Sequence, residues 1–119
     1  MHIHYISEQN SILNHFLAQI RDVNIQKDSM RFRKNIERIG EIMAYELSKT
    51  LDYKEIDVQT PLGIKHTTTI AEPVVLCSIL RAGLALHQGF MSFFDNAENG
   101  FVSAYRHHYD NDDKFEILV

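Results

Sequence analysis

The chain has 119 residues, of which 45% are hydrophobic and 24% charged, and its formal net charge is −4. This length predicts one domain that buries a real core, and the composition is ordinary for a globular protein. The negative charge argues against general affinity for nucleic acids, and no apolar run approaches the roughly 18 residues that a membrane span needs. Cys77 lies in a strongly apolar segment and is predicted to be a small core residue, as is common in a reducing compartment. Because the first residues also lack the pattern of a signal peptide, we expect a cytoplasmic protein.

Two helices are predicted in the amino-terminal part of the chain, residues 1–53. Apolar residues at helical spacing place the first helix at about residues 10–21, with Asn10 or Ser11 as its N-cap. The spacing predicts a second, long amphipathic helix that is capped by Ser29 and ends at about residue 51.

The hydrophobic period then changes to two, which predicts a β-hairpin arm over residues 54–71. Apolar and polar residues alternate over 56–60 and again over 64–70. Between them, Pro at the second position and Gly at the fourth position of a turn suit a type I turn over 60–63. The half-polar alternation indicates a face that is solvated or covered by a partner subunit.

Residues 72–119 are predicted to begin the core sheet of an α/β fold. A strand over 74–79 is apolar without alternation, as expected when helices cover both of its faces. The helix after it, over 84–94, is apolar nearly all round and is expected to be buried. The predicted elements that follow are a strand over 100–106, an acidic turn over 110–113 and a final strand over 114–119. An α/β domain with only these strands has an incomplete sheet.

The junction between the apolar strand and the helix is the main candidate site. Arg81, Ala82 and Gly83 lie where free backbone N–H groups, a helix N-terminus and a guanidinium meet, as a phosphate or pyrophosphate site requires. Arg106 closes the next predicted strand. Two consecutive strands would then each bring an arginine to the carboxyl edge of the sheet, where such sheets bind ligands.

Five segments of the sequence resemble the uracil phosphoribosyltransferase family. In chain order they are residues 32–40 (FRKNIERIG), 44–47 (AYEL), 59–63 (QTPLG), 79–84 (ILRAGL) and 105–106 (YR). The resemblance covers nearly the whole chain and implies the type I phosphoribosyltransferase fold, a parallel sheet with flanking helices and a dimer arm. It implies a pentosyl transfer in pyrimidine salvage, in which ribose 5-phosphate passes from phosphoribosyl pyrophosphate (PRPP) to uracil and gives UMP. It also implies Mg²⁺, held mainly by the oxygens of PRPP, and with the dimer arm we expect a homodimer or a higher homo-oligomer.

The same resemblance assigns roles to residues of this chain. Arg81, Ala82, Gly83 and Arg106 match the positions that bind PRPP, and the two arginines match catalytic positions. Such groups would stabilise the charge that grows on the departing pyrophosphate. The segment at which some family members bind GTP as an activator corresponds to Lys34, Asn35, Ile36, Glu37 and Arg38.

Other interpretations of these residues remain open. The basic residues of the long helix alternate with Glu37 and Glu41, which also fits a solvated face with ion pairs inside the helix. The chain has seven histidines, but the pairs His2/His4 and His107/His108 have no further ligands at recognisable spacing, so no metal site is predicted. A regulatory module that binds PRPP or a nucleotide without catalysis is the alternative function. Regulatory RNA binding is a third, against which the negative charge weighs.

Two motifs of the family are absent from these residues. One is the acidic, Thr/Gly/Ser-rich loop that holds the ribose phosphate, and the other is the Gly-Asp-Ala segment that reads the edge of uracil. We therefore expect the 119-residue chain alone not to convert uracil and PRPP to UMP. An assay of UMP formation with the purified chain checks this expectation, and robust turnover would contradict it.

Overall fold

The computed structural model describes residues 1–108 and 115–119, and the predicted acidic turn over 110–113 lies outside the described residues. The helices are α1 (Ile12–Arg21), α2 (Ser29–Ser48) and α3 (Leu84–Met91), and the strands are β1 (Tyr53–Thr60), β2 (Gly63–Ile70), β3 (Val75–Leu80), β4 (Glu98–Ser103), β5 (Tyr105–His108) and β6 (Phe115–Leu118). This mixture of helices with strands that include a parallel pair confirms the predicted α/β class.

The two amino-terminal helices are confirmed, with one cap corrected. Ser11 caps α1, and its Oγ accepts the N–H of Leu13 at 3.2 Å. The prediction that Ser29 caps the second helix is wrong. The cap is Asp28, because its backbone is extended (φ −77°, ψ 96°) and its carboxylate accepts the N–H of Arg31 at 3.1 Å. The helix also ends at Ser48 rather than near residue 51.

β1 and β2 form the predicted antiparallel hairpin, in a register that runs from Tyr53 opposite Ile70 to Thr60 opposite Gly63. Gly63 has a φ of 138°, a conformation that favours glycine. Most side chains of the hairpin are exposed. The described chain measures 69 × 32 × 29 Å, and its radius of gyration is 19.0 Å. A compact domain of this length has a radius of gyration of about 13–14 Å, so the shape agrees with an arm that projects.

The core sheet is the parallel pair of β3 and β4. Along β3, Leu76 and Ser78 are buried, whereas Val75 and Ile79 are 65% and 61% exposed. The prediction that helices cover both faces of this strand is therefore wrong for the described chain. α3 packs on one face, and no described helix covers the other. Cys77 lies on the open face and is exposed, so it is not the core residue that its apolar neighbours predicted.

The prediction of a helix buried on all sides is also wrong. α3 ends at Met91, and its buried residues are His87 and Gly89, while Leu84 is 46% exposed. The helix contacts α2 on one side and β3 on another, which leaves the remaining surface open.

The strand predicted over 100–106 is divided between two strands. β4 pairs with β3 and ends at Ser103. After Ala104 the chain enters β5, which pairs antiparallel with β6. Arg106 therefore lies on β5, beyond the end of the parallel pair.

Two glycines allow α2 and α3 to pack with their backbones in contact. A Cβ at Gly40 would lie 2.6 Å from the carbonyl oxygen of Leu86, and a Cβ at Gly89 would overlap the carbonyl oxygen of Glu37. Both glycines are buried. Because the obstructing atoms belong to backbone, a larger residue at either position must push the helices apart.

We expect Gly89→Ala to lower the free energy of unfolding by about 1–3 kcal/mol, because an added methyl group overpacks the contact with α2. Thermal and urea denaturation followed by circular dichroism measure this loss. Gly100→Ala is the matched control, since its Cβ would lie 3.7 Å from Cys77 Sγ, an ordinary contact. If the two variants unfold alike, the close helix packing is contradicted.

Candidate functional site

The loop between β3 and α3 lies at the carboxyl end of the parallel pair, where the sequence places the anion site. Arg81 directly follows Leu80, and Leu80 pairs with Ser103, the last residue of β4. The peptide bond between Leu80 and Arg81 is cis. Arg81 and Ala82 are exposed, so a ligand at this edge of the sheet has direct access to both.

Backbone hydrogen bonds hold this loop against the end of β3. The N–H of Gly83 donates to the carbonyl oxygen of Ile79 at 2.9 Å, and the N–H of Leu84 donates to that of Arg81 at 3.2 Å. A Cβ at Gly83 would lie 2.5 Å from Ser78 Oγ and 2.8 Å from the oxygen of Ile79. Glycine is therefore required here for close packing, and its N–H is used within the loop.

The remaining groups of the loop suit an anion. Neither the Ala82 N–H nor the Arg81 guanidinium bonds to another part of the described chain. The first turn of α3 contains no acidic residue. A helix N-terminus carries partial positive charge, so the loop combines that charge with an available amide and a guanidinium.

Arg106 follows the end of β4 in the chain and lies on β5. It is exposed on β5 and stands opposite Ile117 of β6. Arg81 and Arg106 thus follow the ends of two paired strands, Leu80 and Ser103. Their joint action on one ligand stays a prediction.

The segment over 34–38 contains both buried and exposed residues. Asn35 is only 1% exposed, its Nδ2 donates to Gln19 Oε1 at 2.8 Å, and its Oδ1 accepts from Arg38 Nη1 at 3.0 Å. The guanidinium of Arg38 also lies over the ring of Phe16, 5.3 Å from its centroid. Asn35 and Arg38 therefore join α2 to α1.

Two exposed basic residues of α2, Lys34 and Arg31, have carboxylate partners. Lys34 Nζ lies 3.3 Å from Glu37 Oε2, and Arg31 Nε lies 3.7 Å from Asp28 Oδ2. These pairs are the solvated, ion-paired face that the sequence left open as an alternative. Binding of GTP at Lys34, Asn35, Ile36, Glu37 and Arg38 stays a prediction.

The sequence did not single out the hydrogen bond that joins α3 to β4. His87 of α3 is 9% exposed, and its Nε2 lies 2.8 Å from Asn99 Oδ1 on β4. The ring also packs against Phe101, with centroids 5.2 Å apart. A histidine inside a mostly apolar helix was the available signal.

Residues 1–108 and 115–119 contain no group of three or more His, Cys, Asp or Glu side chains that could hold a metal ion. None of the helices within these ranges is long and apolar enough to cross a membrane.

Comparison with known proteins gives a consistent result. The family model described as uracil phosphoribosyltransferase matches residues 6–117. A protein of Porphyromonas gingivalis named uracil phosphoribosyltransferase is 49% identical over 110 residues, which cover 92% of this chain and 51% of that protein. A protein of Sulfolobus acidocaldarius with the same name is 42% identical over 98 residues, which cover 80% of this chain and 44% of that protein. The chain thus spans about half the length of the curated relatives it matches.

A solved structure supports the fold independently. A protein from Aquifex aeolicus superposes with a TM-score of 0.71 at 24% sequence identity. The match covers 96% of this chain and 53% of that one.

Proposed function

The chain belongs to the uracil phosphoribosyltransferase family, and from this premise we propose that it supplies the pyrophosphate-binding part of an enzyme that makes UMP from uracil and PRPP. The observation that carries the proposal is the exposed Arg81–Ala82 loop at the carboxyl end of the β3–β4 pair. An exposed cation and an amide beside a helix N-terminus match the charge of a pyrophosphate group.

In this reaction the bond between C1 of the ribose and the pyrophosphate oxygen breaks, a bond from C1 to a uracil nitrogen forms, and the proton of that nitrogen is released. Negative charge grows on the pyrophosphate as it leaves. The Arg81 guanidinium can donate two parallel hydrogen bonds to its oxygens, and the Ala82 N–H can donate another. Arg106 would approach from β5. Removal of one donor of this kind typically lowers the rate about 10²–10³-fold.

The donor set of the loop suits an anion and not a cation. Guanidinium and amide groups repel Mg²⁺, which prefers oxygen ligands. We therefore propose that Mg²⁺ is bound through the oxygens of PRPP and neutralises part of the pyrophosphate charge.

A GTP site on α2 is a further part of the proposal. The side chains of Lys34 and Arg31 are 49% and 47% exposed, and phosphate oxygens can replace their carboxylate partners Glu37 and Asp28. Asn35, which is buried, would act there only by holding α2 against α1.

We also propose that the protein acts in the cytoplasm as a homodimer. The exposed hairpin supports self-association, since Leu62 at its tip is fully exposed and Ile64 is 64% exposed. When a second copy covers the apolar side chains at the end of a projecting arm, their removal from water stabilises the dimer.

We expect Arg81→Ala to weaken binding of Mg²⁺–PRPP about 10–100-fold, because hydrogen bonds to charged groups contribute about 1.5–3 kcal/mol. Isothermal titration calorimetry on the full chain measures the affinity. Arg33→Ala is the control, since Arg33 is an exposed arginine of α2 outside the loop. Equal affinity of the Arg81 and Arg33 variants would remove the basis for the site.

We expect Leu62→Asp to shift the protein from dimer toward monomer, because a charge at the tip of the arm is costly to bury. Sedimentation velocity at micromolar concentrations distinguishes the two states. Gln88→Asp places the same charge on the exposed side of α3 and is expected to change nothing. A wild-type chain that sediments as a monomer would show the dimer proposal to be wrong.

A further inference from the structure

His87 and Asn99 form a directed hydrogen bond between α3 and β4. Asn99 Nδ2 donates to the carbonyl oxygen of Ala97 at 3.2 Å, which fixes the orientation of the amide. Asn99 Oδ1 is therefore an acceptor, and the atom that donates to it is His87 Nε2, at 2.8 Å. His87 must carry its proton on Nε2 to make this bond.

This bond lies one helical turn from the candidate pyrophosphate loop. The N–H of His87 donates to the carbonyl oxygen of Gly83 at 2.9 Å, so the backbone of His87 is linked directly to the loop. Its side chain reaches β4, which leads through Ser103 toward Arg106. The histidine thus connects α3, which begins directly after the Arg81 loop, to β4, which precedes the strand that carries Arg106.

We propose that His87, acting through Asn99, is a positioning residue that holds the Arg81 loop in register with β4. The inference rests on the proposed function, since its purpose is to set the position of Arg81 relative to Arg106 for one ligand.

The choice of residue types supports positioning over simple packing. An apolar side chain at position 87 could also pack against Phe101, whose ring centroid lies 5.2 Å from that of His87. Such packing is not directional, whereas the hydrogen bond restricts both distance and angle. Burial of an imidazole is costly unless the imidazole is hydrogen-bonded, so an apolar residue would fill this site without that cost. A displacement of about 1 Å in a binding group can change a rate about 10²-fold. A hydrogen bond that fixes the position of the Arg81 loop relative to β4 would therefore affect the reaction.

Two substitutions separate the hydrogen bond from the volume of the side chain. His87→Leu replaces the imidazole with an apolar side chain of similar size and removes the hydrogen-bond donor, whereas His87→Gln keeps a donor. Hydrogen exchange of the Gly83 and Leu84 amides, measured by NMR, reports how firmly the loop is held. We expect exchange at both amides to become about tenfold faster in His87→Leu, to return close to wild type in His87→Gln, and to stay unchanged in α2.

Binding of Mg²⁺–PRPP gives a second readout. We expect affinity to fall about five- to tenfold in His87→Leu, as for loss of one hydrogen bond, and to recover in His87→Gln. Gln88→Leu is the control at the exposed neighbouring position of α3. Should His87→Leu fail to fold, Asn99→Leu removes the same bond from the β4 side and carries the same expectations.

The outcomes decide the two proposals separately. If hydrogen exchange of the loop amides is unchanged in His87→Leu, the positioning role is overturned. An equal acceleration of exchange in the Leu and Gln variants also overturns it, because that result indicates a structural role alone. A wild-type chain that binds no PRPP, with loop exchange still dependent on His87, refutes the proposed function and supports the positioning of the loop. Arg81→Ala, which we expect to lose PRPP affinity with loop exchange unchanged, shows that the two readouts are independent.

Discussion

The close contact of α2 and α3 at Gly40 and Gly89 is the constraint on which the rest of the structure depends. Neither glycine can accept a Cβ without contact with the backbone of the other helix. This contact sets how closely α3 packs against α2, and the first turn of α3 directly follows the Arg81 loop. A third glycine, Gly83, lets that loop fold onto the end of β3. The candidate site is therefore positioned by backbone packing that only the smallest residue permits.

Directed polar contacts supplement a small apolar core. The buried cluster consists of Ala44, Leu76 and Phe94, with partly buried neighbours. Two side-chain hydrogen bonds, each with one buried partner, link the helices to their neighbours: Asn35 with Gln19 between α2 and α1, and His87 with Asn99 between α3 and β4. No buried side-chain nitrogen or oxygen of the described residues lacks a partner. A satisfied polar network selects one arrangement of the elements more strictly than apolar packing alone.

The sequence predicted those features that depend on local chemistry. The change of period and the 60–63 turn predicted the hairpin, and the apolar strand followed by Arg81 and Gly83 predicted the loop at the carboxyl edge. The errors concern burial and boundaries. The predictions that Cys77 and both faces of β3 are buried were wrong. An apolar pattern shows which residues can be buried, whereas the neighbouring elements determine which residues are buried. The division at Ala104 depends on strand pairing, which local sequence does not specify.

The partners of the basic residues also show which of the two candidate anion sites is stronger. An anion at Lys34 must displace the carboxylate of Glu37, 3.3 Å from its ammonium group. Arg38, one turn away, is already bonded to Asn35 and lies over Phe16. An anion at Arg81 has no side chain of the described residues to displace. Because a surface ion pair contributes only up to about 1 kcal/mol, the cost of displacing a carboxylate on α2 is moderate. The Arg81 loop, however, adds a helix N-terminus and an amide that α2 lacks at the position of Lys34. The loop is therefore the stronger of the two candidate anion sites, because its donor groups have no partner among the described residues.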